Sequence, residues 1–306
     1  MNKYSIFFLI SGLVFTSLIF ISYSTEGSIE EEEIIKSFDL PQVVRSVKLK
    51  DKYDWAGEVV PDNPDVMERL DRELLVNSYW HSTTLLHIKM ANKFFPIMER
   101  ILKEEGVPDD FKYLAVAESS LRNVSSHANA KGFWQFRNLA AKEWSLEVNN
   151  EVDERYHVEK STKAAAQYLK QMKKRFGTWT DAAAAYNVGP TSYAKTLQNQ
   201  GESNYYNLHL NDETSRYVFR LIAIKEIMSE PEKYGFYVDE EDLYPGLENT
   251  YEVKIDKSVT SWKDFAQKHG ISYRMLKYYN PWLIDNKLTV LNKTYYVRLP
   301  LPESLD

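Results

Sequence analysis

Phe111-Lys112-Tyr113-Leu114-Ala115-Val116-Ala117-Glu118-Ser119-Ser120-Leu121 is the stretch on which the reading of this chain turns. At helical spacing Phe111, Leu114 and Leu121 fall on one apolar stripe, and Glu118 falls inside it. A carboxyl group there faces either the core or a cleft. Burial disfavours its charged form, so it titrates above an ordinary glutamate, which is what a general acid needs to stay protonated near neutral pH. A core glutamate paired with an arginine would leave the same pattern, and periodicity does not separate the two.

Outward from this stripe the pattern is helical from Pro64 to about Tyr234. Phe94, Ile97, Met98, Ile101 and Leu102 define a helix that stops at Gly106. Pro108, Asp109 and Asp110 suit the first turn of the next. A third helix is expected after Ser161 and ends at Gly177; a fourth, capped by Thr180, runs through Tyr186 to Gly189-Pro190. A fifth carries Tyr217, Leu221, Ile224 and Met228 on one face. Beyond an acidic, Pro- and Gly-containing linker the period changes: Tyr251, Val253 and Ile255 alternate, as do Tyr295, Val297 and Leu299. Two short helical patterns, 261–268 and 272–279, lie between them and end at Asn280-Pro281. The expected organisation is a leader over 1–24, an N-terminal arm over 25–60, a mainly α domain over 61–236, a linker over 237–249 and a small α+β domain over 250–306.

The leader is Met1-Asn2-Lys3 followed by an uncharged apolar run to about Tyr23, with the small residues Ser22 and Ser24 placed for cleavage. That pattern predicts export; a run of about twenty residues also suffices for an uncleaved inner-membrane anchor. With no Cys among 306 residues, disulfides, thiolate metal sites and lipidation of an N-terminal Cys are excluded. A formal charge of -6, spread without a basic block, argues against nucleic acid as partner. Seven Trp and twenty-one Tyr suit sugar faces and ordinary cores alike. The six His show no zinc-type spacing, and no Gly-rich phosphate loop is present, so neither metal nor cofactor is expected.

Two further segments bear on Glu118. Lys131-Gly132-Phe133-Trp134-Gln135-Phe136 offers a permissive glycine, aromatic rings and an amide, which form either a stacking surface or core. Ala185-Tyr186-Asn187-Val188-Gly189-Pro190 puts a phenol and an amide at a helix end, where they reach a cleft or cap the helix. Asp153-Glu154-Arg155 reads as a local ion pair.

Together these segments resemble the family 1 lytic transglycosylases, lysozyme-like enzymes that cut bacterial peptidoglycan. Glu118-Ser119 matches the family's Glu-Ser motif, and Gly132 to Phe136 its Gly-Leu-Trp-Gln-Phe variant, with Phe133 in place of Leu. Ala185-Tyr186-Asn187 matches its Ala-Tyr-Asn motif, and Glu213-Thr214 with Tyr217-Val218 its closing motif. The stretch from Asp65 through Trp80, with Tyr113 to Val116 and Asp153-Glu154-Arg155, looks like the membrane-bound lytic murein transglycosylase D subgroup. The resemblance implies a lysozyme-like helical domain with Glu118 as general acid and base. It implies Ser119, Trp134, Gln135, Phe136, Tyr186, Asn187, Glu213 and Tyr217 as substrate-binding residues, peptidoglycan glycan strands as partner, and the periplasm or cell envelope as location. The rival readings are a goose-type lysozyme, in which water is the nucleophile, and a non-catalytic wall-binding scaffold. The C-terminal segment resembles a LysM module through its strand-helix-helix-strand order, Asn280-Pro281 and Tyr295 to Pro300, but Asp256-Lys257 stands where Gly-Asp is usual. As a glycan-binding tether it would raise the local concentration of substrate.

Overall fold

The structure, a computed structural model, describes residues 45–302. The expected leader over 1–24 and the first part of the arm lie outside these residues. No described helix is long and apolar enough to cross a membrane.

The described part of the arm is built into the core. Strands β1 (Asp54–Trp55) and β2 (Glu58–Val59) form a hairpin whose turn, Ala56-Gly57, has positive φ at both positions. Trp55 is fully buried, edge-on to Phe111 at 5.4 Å. Helix α1 (Pro64–Tyr79) starts on an Asn63 cap and a proline in its first turn, and α2 (His81–Glu105) stops at Gly106 in the left-handed region, as the sequence predicts. Pro108-Asp109-Asp110 opens a 3-10 turn that runs on into α3 (Lys112–Ser119). After α4 (Asn138–Glu143) come α5 (Val158–Phe176), α6 (Trp179–Val188), α7 (Pro190–Gln200) and α8 (Asp212–Ser229). Helix α8 packs along α1, α3 and α6, while α5 lies between α2 and α6. Leu70, Met98, Leu114, Phe133, Leu169, Ala183 and Leu221 share one apolar cluster.

Two expected helix starts shift. Helix α5 begins at Val158, before Ser161, whose hydroxyl instead donates to the His157 carbonyl. The cap of α6 is Thr178, which accepts from the Asp181 amide at 2.9 Å. Thr180 lies inside the first turn, where its hydroxyl and amide both donate to Glu58 from the hairpin. The carboxylate of Glu58 thereby meets the positive end of α6, a role invisible in local sequence.

In the C-terminal segment β3 (Thr250–Ile255) pairs antiparallel with β4 (Tyr295–Pro300), Val253 opposite Val297, around α9 (Trp262–Lys268) and α10 (Tyr273–Tyr279). Both helices start on the expected serines, Ser261 and Ser272. Asn280 is a structural clamp: its side chain donates to the Leu276 and Arg298 carbonyls and accepts from the Arg298 amide. The apolar cluster of this segment contains Trp262, Leu276, Val297 and Leu299, and also the fully buried Val152 from the strap between α4 and α5. Val152 bridges to Leu283, the Asp153 amide donates to the Trp282 carbonyl at 2.9 Å, and the Ile284 amide to that of Glu151 at 3.0 Å. Ion pairs Lys293 to Glu147 and Arg298 to Glu159 flank these contacts.

Candidate active site

Glu118 stands at the last turn of α3, which ends because Ser120 and Leu121 both adopt positive φ, 53° and 54°. Two consecutive non-glycine residues in the left-handed region are costly and need surrounding structure to hold them. Ser119 supplies part of it: its buried hydroxyl lies 2.9 Å from both the Ala115 and the Phe133 carbonyl oxygens, tying the helix end to the segment at 132–136. That hydroxyl is occupied within the protein.

The Glu118 side chain is half-buried, enclosed by protein yet reachable from one side. Desolvation raises its pKa to about 7; a hydrogen bond donated by the Tyr217 hydroxyl at 2.5 Å opposes the rise, the negative charge of Glu213 adds to it, and Arg220 acts against it. Tyr217 itself is buried and held well above an ordinary phenol, by burial first and by Glu118 second, so it stays a donor. Glu213 is exposed and paired with Arg220 at 2.9 and 3.3 Å. It is a charged neighbour of the carboxyl rather than a second acid facing it.

The segment beneath Glu118 is fixed by its backbone. Gly132 has φ of 79°, and a Cβ there would lie 1.9 Å from the Arg155 carbonyl oxygen, so only glycine fits the crossing. Arg155 grips Asp153 with two nitrogens and reaches the Asn129 and Phe136 carbonyls with a third. Asp153 and Glu154, the latter also bonded to Lys160 and the Glu147 amide, are therefore consumed in structure. Gln135, at φ of 48°, donates to the Val124 and Gly132 carbonyls.

Of the two roles open to the rings of this segment, stacking surface or core, Trp134 and Phe136 take the second, so the substrate-binding role that the resemblance implies for them is not one of direct contact. Trp134 is fully buried with its indole N–H on Thr162 Oγ1 at 3.0 Å, and Phe136 is buried against Tyr168 and Tyr186. Their size and apolarity are used to fill the core under the loop. Tyr186 links the two layers, its hydroxyl donating to the Trp134 carbonyl at 2.6 Å. Asn187 accepts from the Thr214 hydroxyl at 3.0 Å, which aims its amide and leaves Nδ2 without a partner among the described residues. Glu118, Tyr186, Asn187 and Tyr217 are thus gathered from α3, α6 and α8, while Ser119, Trp134, Gln135 and Phe136 support them from behind. Sequence reasoning missed Thr214, Arg220 and Arg155 as contributors. Thr214 was legible from its place beside Glu213, whereas Arg155 and Arg220 reveal themselves only through tertiary partners.

Residues 95–209 match the Transglycosylase SLT domain family, and residues 251–303 the Soluble lytic transglycosylase C-terminal LysM-like domain. The chain thus carries an SLT-type helical domain followed by a LysM-like domain. Among characterised proteins it is similar to membrane-bound lytic murein transglycosylase D of Escherichia coli (strain K12), at 28% identity over 227 residues, covering 72% of this chain and 48% of that protein. A shorter match, 29% over 100 residues, covers 32% of this chain and 48% of a putative tributyltin chloride resistance protein of Alteromonas sp. (strain M-1). The chain spans about half the length of the curated relatives it matches. Among solved structures, an inactive mutant of the lytic transglycosylase Slt from Pseudomonas aeruginosa gives 19% identity and a TM-score of 0.36, over 49% of this chain and 26% of that one.

Proposed function

We propose that the chain is a peptidoglycan lytic transglycosylase of the cell envelope, cleaving the β-1,4 bond between N-acetylmuramic acid and N-acetylglucosamine with Glu118 as its acid and base. The observation that carries this reading is a half-buried carboxyl raised to about 7, reachable from outside and held by Tyr217. At neutral pH such a group is close to half protonated, so it can give a proton and then take one. With Oε1 occupied by Tyr217, Oε2 is the oxygen free to protonate the leaving glycosidic oxygen. The conjugate carboxylate then takes the proton of the muramic acid C6 hydroxyl as that oxygen bonds to C1, closing a 1,6-anhydro ring without water. Asn187 Nδ2 is the donor suited to the acetamido carbonyl.

Glycosidases that use two carboxylates set them on either side of the bond. Here Glu213 is locked to Arg220, and Asp153 and Glu154 are held in buried ion pairs. An intramolecular nucleophile removes the need for a second carboxylate to activate water, which favours the lytic over the hydrolytic reading. Mass spectrometry of products from purified sacculi decides it. Anhydro ends are expected, reducing ends would establish a hydrolase, and the absence of fragments would leave a binding scaffold.

A further inference from the structure

Helix α8 carries Glu213, Arg216, Tyr217 and Arg220 at spacings of three and four, so the four side chains leave one face of the helix. Tyr217, in the middle of that face, donates to Glu118. The two arginines around it converge on a single carboxylate from another helix, Glu73 of α1, which is 1% exposed. Arg216 Nε donates to Glu73 Oε1 at 2.6 Å, and Arg220 Nε lies 3.6 Å from Oε2. Arg220 also donates to Glu213 at 2.9 Å, so Glu73 and Glu213 divide one guanidinium between them. Helix α1 lies before the segment of the SLT match, 95–209, and Glu73 is what brings it to bear on the site.

A buried ion pair is weak evidence for stability, since well-packed apolar side chains often do as well. What this one fixes is position, gripping α8 one residue before Tyr217 and three residues after it. The other titratable groups around it are accounted for. Arg216 has Asp212 as a second partner at 3.6 Å, and Asp212 also faces Arg72 of α1 at 3.8 Å. Tyr205, from the turn before α8, donates to the Thr214 and Ser215 carbonyls and is raised far above an ordinary phenol, chiefly by burial. His87 of α2, on the same groove as Glu73 and Arg220, is neutral because burial lowers its pKa to about 4. At Glu118 burial acts first; the Tyr217 hydrogen bond and the Arg220 charge oppose it, and the Glu213 charge adds to it. Tyr186 of α6 is the remaining titratable neighbour, a phenol that stays protonated.

We propose that Glu73 is a positioning residue for the acid: by holding Arg216 and Arg220 on either side of Tyr217, it sets how much of the Arg220 charge reaches Glu118. The inference rests on the reading of Glu118 as acid and base. Its sign follows from the shared guanidinium. Without the Glu73 charge, Arg220 is drawn to Glu213 alone, where it cancels more of the carboxylate that favours protonation of Glu118. The freed positive charge also favours the Glu118 carboxylate directly, so both changes lower the proton affinity of the acid. Glu73 thus keeps Glu118 protonated near neutral pH without touching it or the substrate. A clamp that only packs α1 on α8 would change the melting temperature and leave the titration of Glu118 where it was.

The test reads Glu118 itself. The full chain is labelled with carbon-13 at its glutamate carboxyls, the Glu118 signal is assigned by its loss in Glu118→Gln, and its pH titration is followed by NMR. Glu73→Gln keeps the shape and the acceptor for Arg216, and should move the Glu118 titration to lower pH by about half a pH unit, less than a charge added in direct contact would. Arg220→Gln should move it to higher pH, and adding Glu73→Gln to Arg220→Gln should move it no further, because the action runs through Arg220. Fragment release from sacculi by Glu73→Gln should fall by about twofold at pH 7 and match the parent near pH 5, since the protonated fraction at pH 7 drops from about a half to about a quarter. A Glu118 titration that superimposes on the parent's, or moves to higher pH, overturns the proposal, and so does a Glu73 effect that persists without Arg220. If Glu73→Gln does not fold, Glu73→Asp decides in its place. It keeps the charge but withdraws it from Arg220, so the titration should move to lower pH by a smaller step, and an unmoved curve overturns the proposal equally. A parent that releases no fragments at any pH sinks the lytic reading, while the NMR titration still decides the role of Glu73.

Discussion

Replacing Glu118 by Gln should produce two effects of opposite sign, and their combination separates a working acid from a structural glutamate. The folded protein holds this carboxyl at about 7, against 4.5 for the ordinary group, because burial disfavours its charge. The folded chain therefore binds a proton that the unfolded chain has released between those pH values. The stability contributed by that proton is complete below about 4.5 and is lost as pH rises through 7. The full loss corresponds to roughly 3 kcal/mol, trimmed to about 1–3 kcal/mol because solvent reaches the carboxyl from one side. Glutamine keeps the shape and the bond from Tyr217 and carries no charge, so it escapes the loss. The difference in melting temperature between variant and parent should be near zero at pH 4, grow between about pH 4.5 and 7 and level off above that, at about 2–4 °C per kcal/mol. Cleavage should fall by about 10²-fold to 10⁴-fold, the range typical of a lost general acid. Calorimetry across pH and fragment release from sacculi read the two effects. A stability difference flat with pH would refute the desolvated carboxyl, and cleavage at the parent rate would refute its role.

Four other changes probe the surrounding structure. Tyr217→Phe removes the hydrogen bond that favours the carboxylate, so Glu118 should titrate higher and the pH-rate profile move to higher pH; an unmoved profile would mean the bond is absent in solution. Asn187→Ala should lower kcat/KM by about 3-fold to 10-fold, one neutral hydrogen bond's worth, with little change in melting temperature; a lowered melting point at normal specific activity would make Asn187 a helix cap only. Gly132→Ala should destabilise by roughly 2–4 kcal/mol, since its Cβ would meet the Arg155 carbonyl oxygen at 1.9 Å from a left-handed backbone, and a wild-type denaturation midpoint would contradict that crossing. Truncation before Thr250 should lower activity even on short soluble glycans, because it strips the cover from Val152; a truncated chain with parental rates on such substrates would restore the idea of a free tether.

Much of this was legible because local physics fixes it. The stop at Gly106, the serine caps at 261 and 272, and the paired alternations of 251–255 and 295–299 are decided within a few residues, and the structure has them. The stripe placing Glu118 on the apolar side of α3 was legible for the same reason. Where readings failed, a distant partner had decided the matter. Thr180 has every local qualification for a cap, but Glu58, more than 100 residues away, takes its hydroxyl and leaves capping to Thr178. Local sequence leaves Trp134 between a stacking ring and core, because nothing nearby shows that Thr162 will receive its indole N–H inside the core.

The C-terminal segment shows how such a distant contact changes a functional argument. A tether works when the tethered module folds on its own and swings on a linker, so that only concentration is coupled to catalysis. Here the module's apolar core is completed by Val152, its backbone pairs with Glu151 and Asp153, and Arg298 holds Glu159 at the start of α5. The strap so anchored continues through Asp153 and Arg155 to the Asn129 and Phe136 carbonyls and to the crossing at Gly132, and from there Phe133 and Trp134 receive Ser119 and Tyr186. The links in that path are buried or part-buried hydrogen bonds and one close backbone crossing, and it ends one residue from Glu118. Truncation is therefore expected to act through this path, because removing the cover of Val152 loosens the strap, and the strap holds the backbone on which Ser119 and Tyr186 rest.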